Sequence, residues 1–187
     1  MRSGLVKRTR AYIGLGGNAG DVRENLRRAV RALGALPGVR LRSVSPLYRT
    51  RPVGVIDQPD FLNAVVGLDV PAGPDPETGA LALLVVLKNI ESAIGRQTGE
   101  RWGPRQIDLD LLTFGGHRID VARPNGRWLT VPHPQMADRL FVLAPLADVV
   151  AGLRPPGWRQ TVARARARRA AQEADDAVVL VEHDWTT

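Results

Sequence analysis

The run Ile107-Asp-Leu-Asp-Leu-Leu-Thr-Phe114 constrains this chain more than any other stretch. It is isoleucine, leucine and phenylalanine broken by two aspartates and a threonine, a composition that predicts a strand. Side chains along a strand alternate between faces, so Asp108 and Asp110 emerge together, about 7 Å apart, while Ile107, Leu109 and Leu111 go to the other side. Taken alone, an Asp-x-Asp on a half-buried strand is commonly only the solvated face of a sheet. The other reading is that the two carboxylates share a cation, because unpaired neighbours repel and one of them takes up a proton. Oxygen ligands in a chain with no cysteine and three histidines point to Mg²⁺ rather than zinc or copper. Mg²⁺ on one or two carboxylates plus phosphate oxygens is the usual arrangement of phosphoryl transfer.

The residues just upstream, Arg101-Trp-Gly-Pro-Arg105, place cationic forks and a planar aromatic on a Gly-Pro loop before the carboxylates. Metal, arginine and aromatic together suggest a nucleotide.

Elsewhere the periodicity predicts an alternation of strands and helices. Ala11 to Gly16 reads as a strand, and Gly17 to Asp21 as a turn with a helix cap. The glycines there match neither a phosphate loop nor a dinucleotide fingerprint. Val22, Leu26, Ala29, Val30 and Leu33 recur at helical spacing, and Val39 to Ser45 alternates as a second strand. A proline-rich loop from Pro46 leads to a third strand, Phe61 to Val70, with Asn63 near its start. Glu77 to Gly95 is a helix, on which Lys88 and Glu91 lie one turn apart and by themselves are a surface pair worth a few tenths of a kcal/mol. Arg96 to Glu100 reads as a mobile lid, His117 to Arg127 as irregular and polar, and Met136 to Leu146 as a short helix holding Arg139 and Phe141. Beyond Arg154 the chain is rich in alanine and arginine with few large apolar residues; Ala177 to Glu182 has the composition of a short added strand.

With 187 residues and 44% hydrophobic content, the chain is long enough for one domain with a real core. There is no run of 18 apolar residues, and Met1 to Arg10 lack the apolar stretch of a signal peptide, so the expectation is a cytoplasmic protein without a membrane partner. A net charge of +7 suits a nucleic-acid binder. Against that class stand the few aromatics, four Trp, three Phe and two Tyr, and a carboxylate pair on the sheet that would repel phosphate without a metal. Arginine is equally suited to a polyphosphate.

Arg101-Trp-Gly-Pro-Arg-Gln-Ile-Asp-Leu-Asp110 resembles the signature of the 6-hydroxymethyl-7,8-dihydropterin pyrophosphokinases. The likeness extends through Tyr48-Arg-Thr50, Asp57-Gln-Pro-Asp-Phe-Leu-Asn63, Val131-Pro-His133 and Ala144-Pro-Leu146, in the family's order. It implies an α+β fold, a ferredoxin-like antiparallel sheet with helices packed on it, which agrees with the β-α-β-β-α-β order above. It implies transfer of a pyrophosphoryl group from ATP to the pterin alcohol, with AMP leaving, in folate biosynthesis. Asp108 and Asp110 match the ligands of two Mg²⁺ ions and, with Arg96 and Arg105, form the catalytic set. Arg96, Arg101, Arg105, His133 and Arg139 match positions near the ATP phosphates, and Lys88, Glu91, Leu111 and Thr130 positions around the nucleoside. Thr50, Val53, Phe61, Asn63, Trp102 and Phe141 match the pterin pocket, Trp102 bordering the ATP as well. Arg51 stands where proline is usual, Pro134 where tyrosine is often found, and the lid has the length of a shorter variant. The resemblance places the pyrophosphokinase domain at residues 1–153, with 154–187 an Arg/Ala-rich extension packed on or trailing from it. A monomer acting on small molecules, not nucleic acid, completes the expectation.

Overall fold

The computed structural model describes residues 7–52, 57–95, 103–123 and 126–186. Strand β1 (Arg8–Gly17) runs antiparallel between β4 (Phe61–Pro71) and β5 (Asp108–Phe114). On the far side of β4 lie β2 (Arg40–Val44) and β3 (Leu47–Thr50), end to end along one partner. Ser45 and Pro46 break them apart; the Ser45 N–H donates to Val65 O and its Oγ accepts from Val65 N, both at 2.9 Å. β8 (Val178–Glu182) closes the outer edge against β3.

Helix α1 (Val22–Ala35) starts where the sequence predicts, and α2 (Pro76–Ile94) one residue earlier, at the proline that is well suited to the first helical turn. Asp21 and Asp75 cap them by accepting Glu24 N and Thr78 N, at 3.1 and 2.9 Å. Such caps are worth about 1 kcal/mol each. Gly95, with φ of 111°, ends α2 in the left-handed conformation that costs glycine least. Both helices bury their apolar stripes on one face of the sheet. Ala11, Ile13 and Leu15 of β1, Ala64, Val66 and Leu68 of β4, and Leu109 and Leu111 of β5 meet Leu26, Leu33, Leu83 and Leu87 there. With its order β5-β1-β4-β2/β3 and a helix after β1 and after β4, the sheet is ferredoxin-like.

The opposite face is only partly covered. Tyr12, Val65 and Leu112 point that way and pack on α3 (Leu140–Val150), with α4 (Val162–Ala170) lying on α3. The uncovered remainder is the floor of the site described below. No helix of the described residues is long and apolar enough to cross a membrane.

Two stretches differ from the sequence expectation. Leu47 to Thr50, read as part of a loop, is β3: with four residues after a proline it is too short to display a period, and its pairing with β4 and β8 decides it. His117 to Arg127, read as irregular, contains most of a hairpin, β6 (Ile119–Arg123) and β7 (Gly126–Val131). Charged residues interrupt it, and only the pairing of Ile119 with Val131 and of Val121 with Leu129 gives it a buried side. The helix expected from Met136 begins later, at Leu140, after a 3₁₀ turn at Met136–Asp138.

The segment beyond Arg154 is anchored by Trp158 and Val162 in the cluster around α3 and by Trp185 on the other side of the sheet. Trp185 is fully buried, donates Nε1–H to Ser45 O at 2.8 Å and accepts Arg27 Nε on its carbonyl at 2.6 Å. Trp185→Ala leaves a void under the β2–β3 break and is expected to lower the unfolding free energy by about 3–5 kcal/mol. Urea denaturation measures it; a loss below about 1 kcal/mol would mean that the C-terminal segment is not anchored there.

Candidate active site

Residues directly opposite in an antiparallel pair share a face. β5 and β1 set Asp108 against Gly16 and Asp110 against Gly14. β1 and β4 set Gly16 against Asn63 and Gly14 against Val65, while β4 and β3 set Asn63 against Tyr48 and Phe61 against Thr50. Two rows of side chains therefore cross the sheet on the face away from α1 and α2. Glycine at 16 leaves room for Asn63 in this row, since a Cβ there would lie 2.7 Å from Asn63 Oδ1 and displace the amide. Asn63 is buried and donates Nδ2–H to Thr50 Oγ1 at 2.7 Å.

Over these rows lies a cavity of about 730 Å³, lined by Thr50, Arg51, Phe61, Asn63, Lys88, Arg105, Asp108, Asp110, His133, Arg139 and Phe141 among others. That volume is in the range of small-molecule sites. Phe61 and Phe141 thus reach one cavity from different elements, as do the aspartates and Arg139. A second hollow of about 440 Å³ lies between the β6–β7 hairpin and Pro156–Trp158. Thr130 lines that one, shared by His133, and donates its hydroxyl to Asp120 Oδ1 at 3.2 Å. Leu111 turns its side chain into the core under α1 and α2, away from both hollows. Val53, Arg96, Arg101 and Trp102 lie outside the described residues.

The carboxylates sit on a strand at the edge of the sheet, whose outer backbone groups need partners. Glu91 of α2 supplies one: its Oε1 accepts Leu109 N at 2.6 Å and Lys88 Nζ at 2.7 Å, and Lys88 Nζ also donates to Leu109 O at 3.2 Å. Glu91 is 2% exposed, so the two residues are a clamp on β5 between its aspartates and not the surface pair that spacing alone implies. A buried carboxylate left without Lys88 and Leu109 N would be costly, which makes the clamp stiff.

Arg105 is held in turn by a residue that sequence reasoning treated only as part of a turn. Asn18 accepts Arg105 N on Oδ1 at 2.8 Å and donates its backbone N–H to Arg105 O at 2.8 Å. Its Nδ2 donates to Gln58 Oε1 and Pro59 O, at 2.9 and 3.1 Å. The loop before β5 and the loop before β4 are thus tied to the end of β1 through one buried amide. Gly17 allows this approach, since a Cβ there would meet Gln106 O at 2.8 Å. Only burial marks Asn18, and burial is not visible in a local pattern. From this seat Arg105 Nη1 donates to Asp108 Oδ2 at 2.6 Å.

Burial and the charge of Asp108 push the Asp110 carboxyl above its ordinary value, against the opposing pull of His133, Lys88 and Arg139. Burial pushes the His133 imidazole down, opposed by the charge of Asp110. Its Nδ1 accepts Gln135 N at 3.3 Å, which suits a neutral ring with the proton on Nε2. Arg139, just before α3, hydrogen-bonds Gln135 and lies 5.5 Å from the centroid of the Phe141 ring. No group of three His, Cys, Asp or Glu able to hold a metal occurs among the described residues. Asp110, short of counter-charge beside an Asp108 already paired with Arg105, fits with it a hard divalent ion that completes its shell with water or substrate oxygens.

A ferredoxin-like sheet whose open face carries a carboxylate pair, flanking cations and a cavity of this size is the frame of a phosphoryl-transferring enzyme. The chain belongs to the 7,8-dihydro-6-hydroxymethylpterin-pyrophosphokinase (HPPK) family, whose model matches residues 12–151. It is 45% identical over 150 residues to the 2-amino-4-hydroxy-6-hydroxymethyldihydropteridine pyrophosphokinase of Pseudomonas aeruginosa, covering 80% of this chain and 86% of that protein. The Bacillus subtilis protein of the same name is 43% identical over 74% of this chain and 77% of its own length. A solved structure of Plasmodium falciparum HPPK-DHPS with pteroate superposes with a TM-score of 0.74 at 16% identity, over 94% of this chain and 47% of that one. This last likeness concerns the fold alone, and the chain spans about half the length of the solved protein.

Asp110→Asn tests the electrostatics of the pair. Because the folded state raises the Asp110 pKa, the wild-type contribution is fully present below the ordinary carboxylate value of 3.8 and is lost as pH rises through the raised value. In chelator the Asn variant should therefore melt higher than wild type at neutral pH, the difference vanishing toward that acid range. Equal or lower melting of the variant at neutral pH would contradict it.

Proposed function

We propose that this protein transfers the pyrophosphoryl group of ATP to the hydroxymethyl oxygen of 6-hydroxymethyl-7,8-dihydropterin, releasing AMP. The observation that carries the reading is that one cavity floor joins two chemistries across three neighbouring strand spacings. At the β5 side are Asp108, Asp110, Arg105, Arg139 and His133, suited with a bound divalent ion to a triphosphate. At the β3–β4 side are Phe61, Phe141, Asn63 and Thr50, suited to a flat ring with a polar edge.

In the reaction the acceptor oxygen attacks the β-phosphorus. A bond from that oxygen to phosphorus forms, the bond to the α,β-bridging oxygen breaks, AMP carries the electron pair away, and the hydroxyl proton passes to a phosphate oxygen or water. Asp108 and Asp110 would hold two Mg²⁺ ions, which when bound supply positive charge to the triphosphate oxygens. Arg105 and Arg139, which line the same cavity as the aspartates, neutralise the developing negative charge, and the clamp of Lys88 and Glu91 keeps β5 in place. A loose transition state needs this positioning and charge more than a strong base. Phe61 and Phe141 are the two faces of the ring site, and Asn63 with Thr50 reads its edge. Arg96, Arg101, Val53 and Trp102 would complete the lid and pocket. His133 orders the phosphates; Glu91, Leu111 and Thr130 bound the nucleoside side through backbone or neighbouring groups. The catalytic unit spans residues 1–153, and 154–187 belongs to the same folded body. The protein works as a monomer in the cytoplasm on small molecules.

Incubation with ATP, Mg²⁺ and the pterin alcohol should give pterin diphosphate and AMP in equal amounts by chromatography. ADP formed in step with pterin consumption would overturn the reading. Asn63→Leu should weaken pterin binding roughly ten- to a hundred-fold, the cost of leaving ring donors and acceptors unpaired, while ATP–Mg²⁺ affinity holds. Calorimetric titration with each substrate decides it: equal losses for both would remove Asn63 from the pterin site.

A further inference from the structure

The cavity is walled on one side by residues beyond the stretch the family model matches. Arg169 and Glu173 line it, whereas the match ends at residue 151. Their position follows from how the C-terminal segment is bound. Val162 N–H donates to Leu153 O and Ala163 N–H to Ala151 O, so α4 turns back along α3 in the antiparallel sense. Midway, Tyr48 Oη donates to Asp148 Oδ2 at 2.5 Å, and Arg166 Nη1 pairs with Asp148 Oδ1 at 3.2 Å. One turn and two turns further on, Arg169 and Glu173 line the cavity together with Phe141 and Val142. Past them, Asp176 pairs with Arg51 and Ala177 O accepts Arg51 N at 3.4 Å, while Val178 lies opposite Thr50. Glu173 is therefore at the Thr50 end of the cavity.

That end is three strand spacings from β5, about 14 Å from the aspartates, too far for a metal ligand or a phosphate contact. Arg169 Nε donates to Glu173 Oε1 at 2.8 Å, which orients the carboxylate and spends the arginine's charge locally. Oε2 accepts no hydrogen bond from the described residues. In a 2-amino-4-hydroxy-6-hydroxymethyl bicycle the hydroxymethyl must face the phosphates at β5. The aminopyrimidinone edge, with its amino group and ring N–H, then points toward β3.

We propose that Glu173, oriented by Arg169, is a specificity-determining residue that accepts hydrogen bonds from the amino-pyrimidinone edge of the acceptor. This rests on the reading of the function given above. The carboxylate complements two donors, and Thr50 with Asn63 serves the rest of the edge.

Steady-state kinetics of the full chain test it with Glu173→Gln, which keeps an oxygen for Arg169 but turns an N–H₂ toward donors. KM for the pterin alcohol should rise about tenfold or more, with kcat and KM for ATP within about twofold. Glu173→Ala should do the same, and a melting temperature near wild type in either variant excludes unfolding as the cause. Glu182→Ala, which removes the ion pair with Arg23 in the same C-terminal segment away from the cavity, should leave the pterin KM within about twofold. An unchanged pterin KM in both Glu173 variants, a parallel rise in KM for ATP, or an equal rise in Glu182→Ala would overturn the proposal. Failure of the wild type to make AMP would overturn instead the function on which it rests.

Discussion

The site depends on the parity of β1 between β4 and β5. Because side chains alternate and opposed residues share a face, one register places Asp108, Asp110, Gly14, Gly16, Asn63 and Tyr48 together and sends Leu15, Leu109 and Ala64 to the helices. A slip of one residue would drive both carboxylates under α1 and α2 and expose the leucines, at about 1.5–3 kcal/mol for each large side chain unburied. The hydrophobic core is therefore what locates the polar face. The glycines of β1 then leave that face bare enough for Asn63 to lie flat across it.

Electrostatics adds the second constraint. The aspartates stand on an edge strand, where a local opening would cost little, yet they must be held together against their own repulsion. Glu91 and Lys88 bind the outward backbone of Leu109 between them, and Arg105 is drawn onto Asp108. Arg105 is in turn seated by Asn18, so the end of β1 governs both the floor of the cavity and the cation beside it. Burial still leaves Asp110 short of counter-charge, and that shortage is what a divalent ion relieves.

A cavity exists because the two faces of the sheet are treated unequally. α1 and α2 cover theirs fully, while α3 and α4 cover only the half marked by Tyr12, Val65 and Leu112. The C-terminal segment widens this arrangement: β8 extends the sheet beyond β3, Trp185 fills the break between β2 and β3, and α4 brings Arg169 and Glu173 to the rim.

Local pattern was enough for much of this. Alternation in Ile107 to Phe114 put the carboxylates on one face, the 3.6-residue period gave α1, with its Asp21 cap, and α2, and ordered motifs gave the family. These are short-range properties, carried by residues a few positions apart. Tertiary structure alone decided β3 and the β6–β7 hairpin, whose strands are too short or too charged to show a period and form because a partner is present. It also turned Lys88 and Glu91 from an apparent surface pair into a buried clamp, made Asn18 a staple, and carried Glu173 to a cavity it shares with Thr50, Phe61 and Asn63, far earlier in the chain. Burial and long-range pairing depend on what the rest of the chain brings alongside, and no window of sequence contains that.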